Sequence, residues 1–190
     1  MLKMLDCFCG LGGASEGFAK EGFDCTGIDI ENMNYPYHFI QADMRHLRGV
    51  DFQGYDVIWG SPPCRDFTQL PDHHITKKGI HQEWKRPKQP EVGLALVMRF
   101  IEFATYAYPH FWILENVKGL IPYLGQPVMF AEIKRGMKRA FWGHFPPFLM
   151  PCDNKTRVWK WDDSPNKAKI PLSCSQAFAR ACHEALIIER

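Results

Sequence analysis

Cys64 stands in Gly60-Ser61-Pro62-Pro63-Cys64, directly after the apolar run Tyr55-Asp56-Val57-Ile58-Trp59. Two prolines restrict the backbone before the thiol. A cysteine placed this way at the end of a buried strand has the setting of a positioned nucleophile. A second apolar run, Trp112-Ile113-Leu114-Glu115-Asn116-Val117, ends in a carboxylate. Upstream of both, Asp6-Cys7-Phe8-Cys9-Gly10-Leu11-Gly12-Gly13-Ala14-Ser15 reads as a strand running into a glycine-rich turn. Gly10, Gly12 and Gly13 let the backbone turn tightly and approach a ligand. The spacing is neither the dinucleotide fingerprint nor a phosphate loop, since no Gly-Lys-Ser/Thr follows. Asp6 before the turn would repel a pyrophosphate. It suits a ligand that carries a positive sulfonium and an amino group.

These residues need a scaffold that gathers them. Apolar runs at Leu2–Phe8, Cys25–Ile30, Phe39–Ile40, Val57–Trp59 and Phe111–Leu114 read as strands. Helical spacing predicts helices over Gly13–Lys20, Val92–Tyr106, Val128–Lys138 and Pro171–Ile188. Strands alternating with helices predict an α/β fold, a mostly parallel sheet with helices on both faces. Ligands of such sheets bind at the carboxyl ends of the strands. Asp6 to Gly13, Asp29, Asp43, Cys64 and Glu115 all fall at or just after strand ends, so the fold would collect them along one rim.

The chain has 190 residues, within the range of one domain. It lacks an apolar run long enough to span a membrane, and its first residues lack the apolar core of a secretion signal. Seven cysteines without a CxxC pair suit reduced thiols and a cytoplasmic setting. Cys152, Cys174, Cys182 and His183 do not follow the usual zinc spacings, so no metal is expected. Charge is uneven. Residues 1–60 carry four basic against nine acidic side chains, residues 61–90 six against three, and residues 132–160 seven against two. An acidic half and a basic half suit a protein holding a cationic ligand on one side and a polyanion on the other. A solvated surface with no partner is equally compatible with charge alone.

The order and spacing of the three motifs resemble the cytosine-C5 DNA methyltransferase family of prokaryotes and phages. The resemblance covers the first two thirds of the chain and implies a Rossmann-like methyltransferase fold with S-adenosylmethionine as cofactor and DNA as partner. It places Asp6, Phe8, Gly10, Gly12, Gly13, Ser61 and Pro62 in the cofactor pocket. Asp29 would take the ribose hydroxyls, with Glu31 as a shifted alternative. Ile30 would cover an adenine face, and Asp43, beside Met44, would accept from the adenine amine. Cytosine C5 is too weak a nucleophile to attack the methyl donor unaided. In the family a thiolate adds to C6, and a carboxyl group at N3 stabilises the developing charge. Cys64 and Glu115 match those roles, with Asn116 fixing the turn.

Duplex DNA requires the target base to be flipped out. The loop 65–90 is long for a connection. Its Arg65, Lys77, Lys78, Lys85 and Arg86 would track phosphates, and Trp84 would stack or wedge.

The chain departs from the family in three ways. Arg65 replaces the usual Gln after Pro-Cys. The Gln-x-Arg-x-Arg motif is missing, and Met137–Pro146 occupies its place, leaving Arg157, then Arg139, as candidates for the arginine at the cytosine O2. No large target-recognition region follows, so the chain reads as a single catalytic domain over 1–190. A partner chain supplying recognition, an inactive cofactor-binding core, and an RNA or nucleotide substrate are alternatives. So is an exocyclic-amine methyltransferase, whose Ser-Pro-Pro motif continues with an aromatic residue where this chain has Cys64.

Overall fold

The computed structural model describes residues 1–68, 73–75, 81–83, 89–134, 137–151 and 169–188. Its main sheet contains β1 (Lys3–Cys7), β2 (Asp24–Asp29), β3 (His38–Gln41), β4 (Val57–Gly60), β7 (Phe111–Asn116), β8 (Met129–Lys134) and β9 (Met137–His144). A separate antiparallel pair joins β5 (His73–Ile75) to β6 (His81–Glu83). The helices are α1 (Gly13–Lys20), α2 (Pro90–Ala107), a single turn α3 (Ile121–Leu124) and α4 (Leu172–Ile188). The sheet order is β3-β2-β1-β4-β7-β9-β8. The first five strands in that order run parallel, and β9 is antiparallel to both its neighbours. This is the doubly wound order of nucleotide-binding sheets, with β1 and β4 at its centre.

Side chains alternate between the two faces of a strand, and here both faces are covered. Met4, Trp59, Ile113 and Phe141 point to the side of α1 and α4. Their neighbours Leu5, Ile58, Leu114 and Ala140 point to the side of α2. This explains why the central strands read as unbroken apolar runs. On the α4 side, Phe178 is fully buried, with ring centroids 5.0 Å from Trp59, 4.9 Å from Phe141 and 4.6 Å from Phe148. Burying one such aromatic contributes about 1.5–3 kcal/mol. α4 is thereby fastened to the sheet and lies along α1.

One predicted element is wrong. Val128–Lys138 forms no helix; β8 and β9 occupy it. Met129, Ile133 and Met137 fit helical spacing, but Met129, Ala131 and Ile133 also fit a period of two. The structure follows the second pattern, with Phe130 and Glu132 outward between them. A short apolar run satisfies both periods, and only the neighbouring strand decides. The change matters because it carries Arg139 on a strand beside β7.

Among the described residues, no helix is long and apolar enough to cross a membrane.

Candidate active site

Gly12 is the N-cap of α1 and sits in the left-handed region, φ 74°. A side chain there would be strained. A Cβ on Gly13 would fall 2.7 Å from the backbone nitrogen of Ile170. The turn is thus pressed between α1 and the segment leading into α4. Phe8, also at positive φ, turns the chain out of β1.

A cleft of about 920 Å³ opens over the carboxyl ends of the parallel strands. Asp6, Phe8, Gly10 and Gly13 line one end. Asp29, Ile30, Asp43 and Met44 follow from the ends of β2 and β3. Ser61, Pro62, Cys64 and Glu115 form the other end. Residues scattered over more than a hundred positions therefore share one cavity. Gly12 and Asn116 lie behind its wall. Arg65, in a 3-10 turn at Arg65–Phe67, does not line it. Lys77, Lys78, Trp84, Lys85, Arg86, Arg157 and Cys152 lie outside the described residues.

At the glycine end, Asp6 is buried. Its Oδ2 accepts from the Ser15 hydroxyl at 2.6 Å and the Ser15 amide at 3.3 Å. Burial outweighs those bonds and lifts its pKa to about 7. Asp29 accepts from the Gly10 amide at 3.0 Å and the Ile30 amide at 2.8 Å. It ties the end of β2 to the glycine turn. Ile30, 59% exposed, stands on the rim. Asp43 accepts from the Arg45 guanidinium and amide, which together hold its carboxyl down at about 2.

At the thiol end, Glu115 is buried, yet Arg139 Nε lies 2.6 Å from its Oε1. The pairing follows from register. Glu115 stands opposite Phe141 on β9, and Arg139 lies two residues along, on the same face. Burial still pushes the Glu115 carboxyl above its ordinary value, against Arg139 and a hydrogen bond from Ser61. Ser61 Oγ in turn accepts from the Trp59 indole at 2.8 Å. Indole only donates, so Ser61 keeps its own proton for Glu115. Asn116 donates from Nδ2 to the Pro62 carbonyl at 3.1 Å, and its Oδ1 accepts from the Val117 amide at 2.9 Å. It fastens the Pro-Pro-Cys turn to the end of β7. Burial raises the Cys64 thiol, and the Glu115 carboxylate adds to this while Arg139 opposes it. The described cysteines form no disulfide.

Two stretches of lining escaped the sequence reading. Glu91, Val92, Ala95 and Leu96 come from the first turns of α2, and Lys169 and Ile170 from the approach to α4. Lys169 pairs with Glu16 at 2.9 Å. Pro90 at the start of α2 was the available signal for the first stretch. No local pattern marks the second, which is placed by the packing of α4 against α1.

A sequence profile described as "C-5 cytosine-specific DNA methylase" matches residues 2–124. The chain belongs to that family. The "Probable DNA (cytosine-5)-methyltransferase" of Frog virus 3 is 28% identical over 116 residues, covering 60% of this chain and 53% of the viral protein. Type II methyltransferase M.FnuDI of Fusobacterium nucleatum is 27% identical over 128 residues, covering 63% of this chain and 33% of the bacterial one. The chain thus spans about half the viral relative's length and a third of the bacterial one's. Among solved structures, the S. pombe Dnmt2 methyltransferase aligns with a TM-score of 0.44 and 19% identity, over 66% of this chain and 39% of that one.

Proposed function

We propose that this chain transfers a methyl group from S-adenosylmethionine to C5 of cytosine in DNA through a covalent cysteine adduct. One observation carries the reading: the glycine-turn carboxylates and the Cys64–Glu115–Arg139 group line the same cleft. The residues at the glycine end fit the cofactor. Asp6 lies at its floor as an acceptor for an ammonium, Gly10 leaves open space where a Cβ would stand, and Ile30 offers an apolar face at the rim. Asp29 and Asp43 are partly committed to the chain itself, so they would hold hydroxyl and amine groups with their remaining lone pairs. When bound, the cofactor supplies an electrophilic methyl.

The chain's own residues do the rest. The Cys64 thiolate adds to C6 of the base, and C5 becomes nucleophilic. Glu115 holds a proton at N3, a role its raised pKa favours. Arg139 borders Glu115 and lines the cleft, which supports it for the carbonyl at O2; Arg157, the first candidate, lies outside the described residues. After transfer, a base removes the C5 proton and the thiolate leaves. The basic stretches 61–90 and 132–160 would hold the DNA backbone, and choice of target sequence would come from residues beyond the matched region or from a partner chain. The four parts — thiol, acid, arginine and cofactor floor — then form one catalytic domain.

The test is transfer of labelled methyl from S-adenosylmethionine to mixed-sequence DNA, followed by nucleoside analysis, with Cys64→Ala alongside. Label in 5-methylcytosine that vanishes in the variant is the expected result. Label in an exocyclic-amine product would overturn it.

A further inference from the structure

Tyr35 belongs to no strand or helix, yet it is buried, and the chain makes room for its ring. A Cβ on Gly27 would fall 2.5 Å from Tyr35 Cζ, and one on Gly12 would fall 3.2 Å from its Cε2. The ring packs against Tyr37 and Phe39, with centroids 5.6 and 6.1 Å away. Its amide donates to Asn32 Oδ1 at 3.2 Å, which shapes the loop after β2. All of this delivers the phenol to one place: Tyr35 Oη lies 2.6 Å from Ser15 Oγ, which lies 2.6 Å from Asp6 Oδ2.

The direction of these bonds follows from counting protons. Serine has one hydroxyl proton. If Ser15 donates to Asp6, it must accept from Tyr35. With Asp6 protonated, Ser15 would instead accept from both Asp6 and Tyr35 and turn its own proton to Met4 Sδ, 3.9 Å away. A thioether sulfur is only a weak acceptor for that proton. Burial holds that phenol in its protonated form, so Tyr35 is a donor throughout. A carboxylate accepts far more strongly than a thioether, so the stronger set of bonds is the one that ends on an ionised Asp6.

We propose that Tyr35, acting through Ser15, is a positioning residue that holds Asp6 ionised and so sets the pH range over which the glycine end of the cleft accepts a cationic ligand. This rests on the reading of that end as the S-adenosylmethionine site. The groups facing Asp6 are Ser15 from α1, Cys7 and Cys9 from its own strand and turn, Cys25 and Asp29 from β2, and Tyr35 itself. Lys169, on the covering segment, is engaged by Glu16. No described cation pairs with Asp6, so the relay, with the Ser15 amide, is what opposes burial and the Asp29 charge. Their balance leaves Asp6 titrating at about 7.

The experiment uses the full chain and the isosteric Tyr35→Phe, which keeps the ring and removes the hydroxyl. S-Adenosylmethionine and S-adenosylhomocysteine binding is measured by calorimetry from about pH 5.5 to 9, the range around a carboxyl of this kind. In parallel, the Asp6 carboxyl is titrated by carbon NMR without ligand. Tyr35→Phe is expected to move both midpoints up by about one pH unit, weaken binding about fivefold near neutrality, and match the wild type at high pH. Ser15→Ala, which removes both bonds, is expected to move them further and serves if Tyr35→Phe does not fold. Superimposed curves, or a loss equal at every pH, would overturn the relay. If the wild type binds neither ligand at any pH, the cofactor reading fails and the ligand half of this proposal with it, while the carboxyl titration judges the relay alone.

Discussion

The two ends of the cleft solve the same problem, a carboxylate out of water, in opposite ways. At the glycine end Asp6 is held by a serine hydroxyl and an amide, with no cation against it among the described residues. At the thiol end Glu115 has a guanidinium 2.6 Å away. A buried acid without a cation keeps a site open for a cationic ligand. A buried acid beside an arginine has its charge already answered, so it does not call for a cationic ligand. The difference teaches that burial alone does not define a role; the partner left to the carboxylate does.

The sharpest way to break the comparison is at Glu115. In the proposed mechanism Glu115→Gln lowers methyl transfer by about 100- to 1,000-fold, measured as single-turnover transfer, and leaves cofactor affinity unchanged. It also removes the negative charge that raises the Cys64 thiol. Cys64 should then react faster with iodoacetamide at pH 8, by about threefold or more. A variant slow in transfer and quick in alkylation separates proton chemistry from thiol reactivity. A fall in both would mean the site had simply come apart.

At the other end, Asp6→Asn should weaken cofactor binding and yet stabilise the ligand-free chain at high pH. The sign follows from linkage. Asp6 has a folded pKa of about 7, above its ordinary 3.8, so between those values the folded state binds the extra proton. Stability from this group is fully present below about 3.8 and is lost as pH rises through about 7. Removing the charge should recover about 2–4 kcal/mol at pH 8, read from urea unfolding. No change in stability would mean that Asp6 is not the costly buried charge described above.

Arg139→Met tests the pairing itself. Breaking a pair this buried costs about 2–4 kcal/mol, less if Glu115 takes up a proton. The loss should therefore shrink as pH falls, and unfolding curves at pH 8 and pH 5.5 compare the two. The smallest effect is expected at Asn116. Asn116→Ala releases the Pro62 carbonyl and should cost about 1–2 kcal/mol, with transfer slowed more than binding because Cys64 loses its fixed turn.

Much of this arrangement was legible in the chain. β1, β2, β4 and β7 are buried on both faces, so their apolar runs stood out, and the polar residues that end them fell onto one rim. α1 showed its bounds through Gly13 and Gly22. What misled was Val128–Lys138, where one apolar set fits both a helix and a strand. Its outcome depends on the pairing of β8 with β9 and of β9 with β7, which no local pattern encodes. That error also hid how Arg139 reaches Glu115, because only a strand delivers it there. The Tyr35–Ser15–Asp6 relay was hidden for a similar reason: its members are close only after β1, α1 and the loop after β2 have packed.

The most direct test of the central claim uses DNA in which cytosine is replaced by 5-fluorocytosine, incubated with the chain and S-adenosylmethionine, then digested for peptide mass analysis. Once C5 is methylated, fluorine cannot leave as a proton does, so elimination stops and the adduct remains. The account predicts DNA linked to the peptide containing Cys64, dependent on the cofactor and absent in Cys64→Ala. Methyl transfer to DNA with no such adduct, or an adduct at another cysteine, would contradict it.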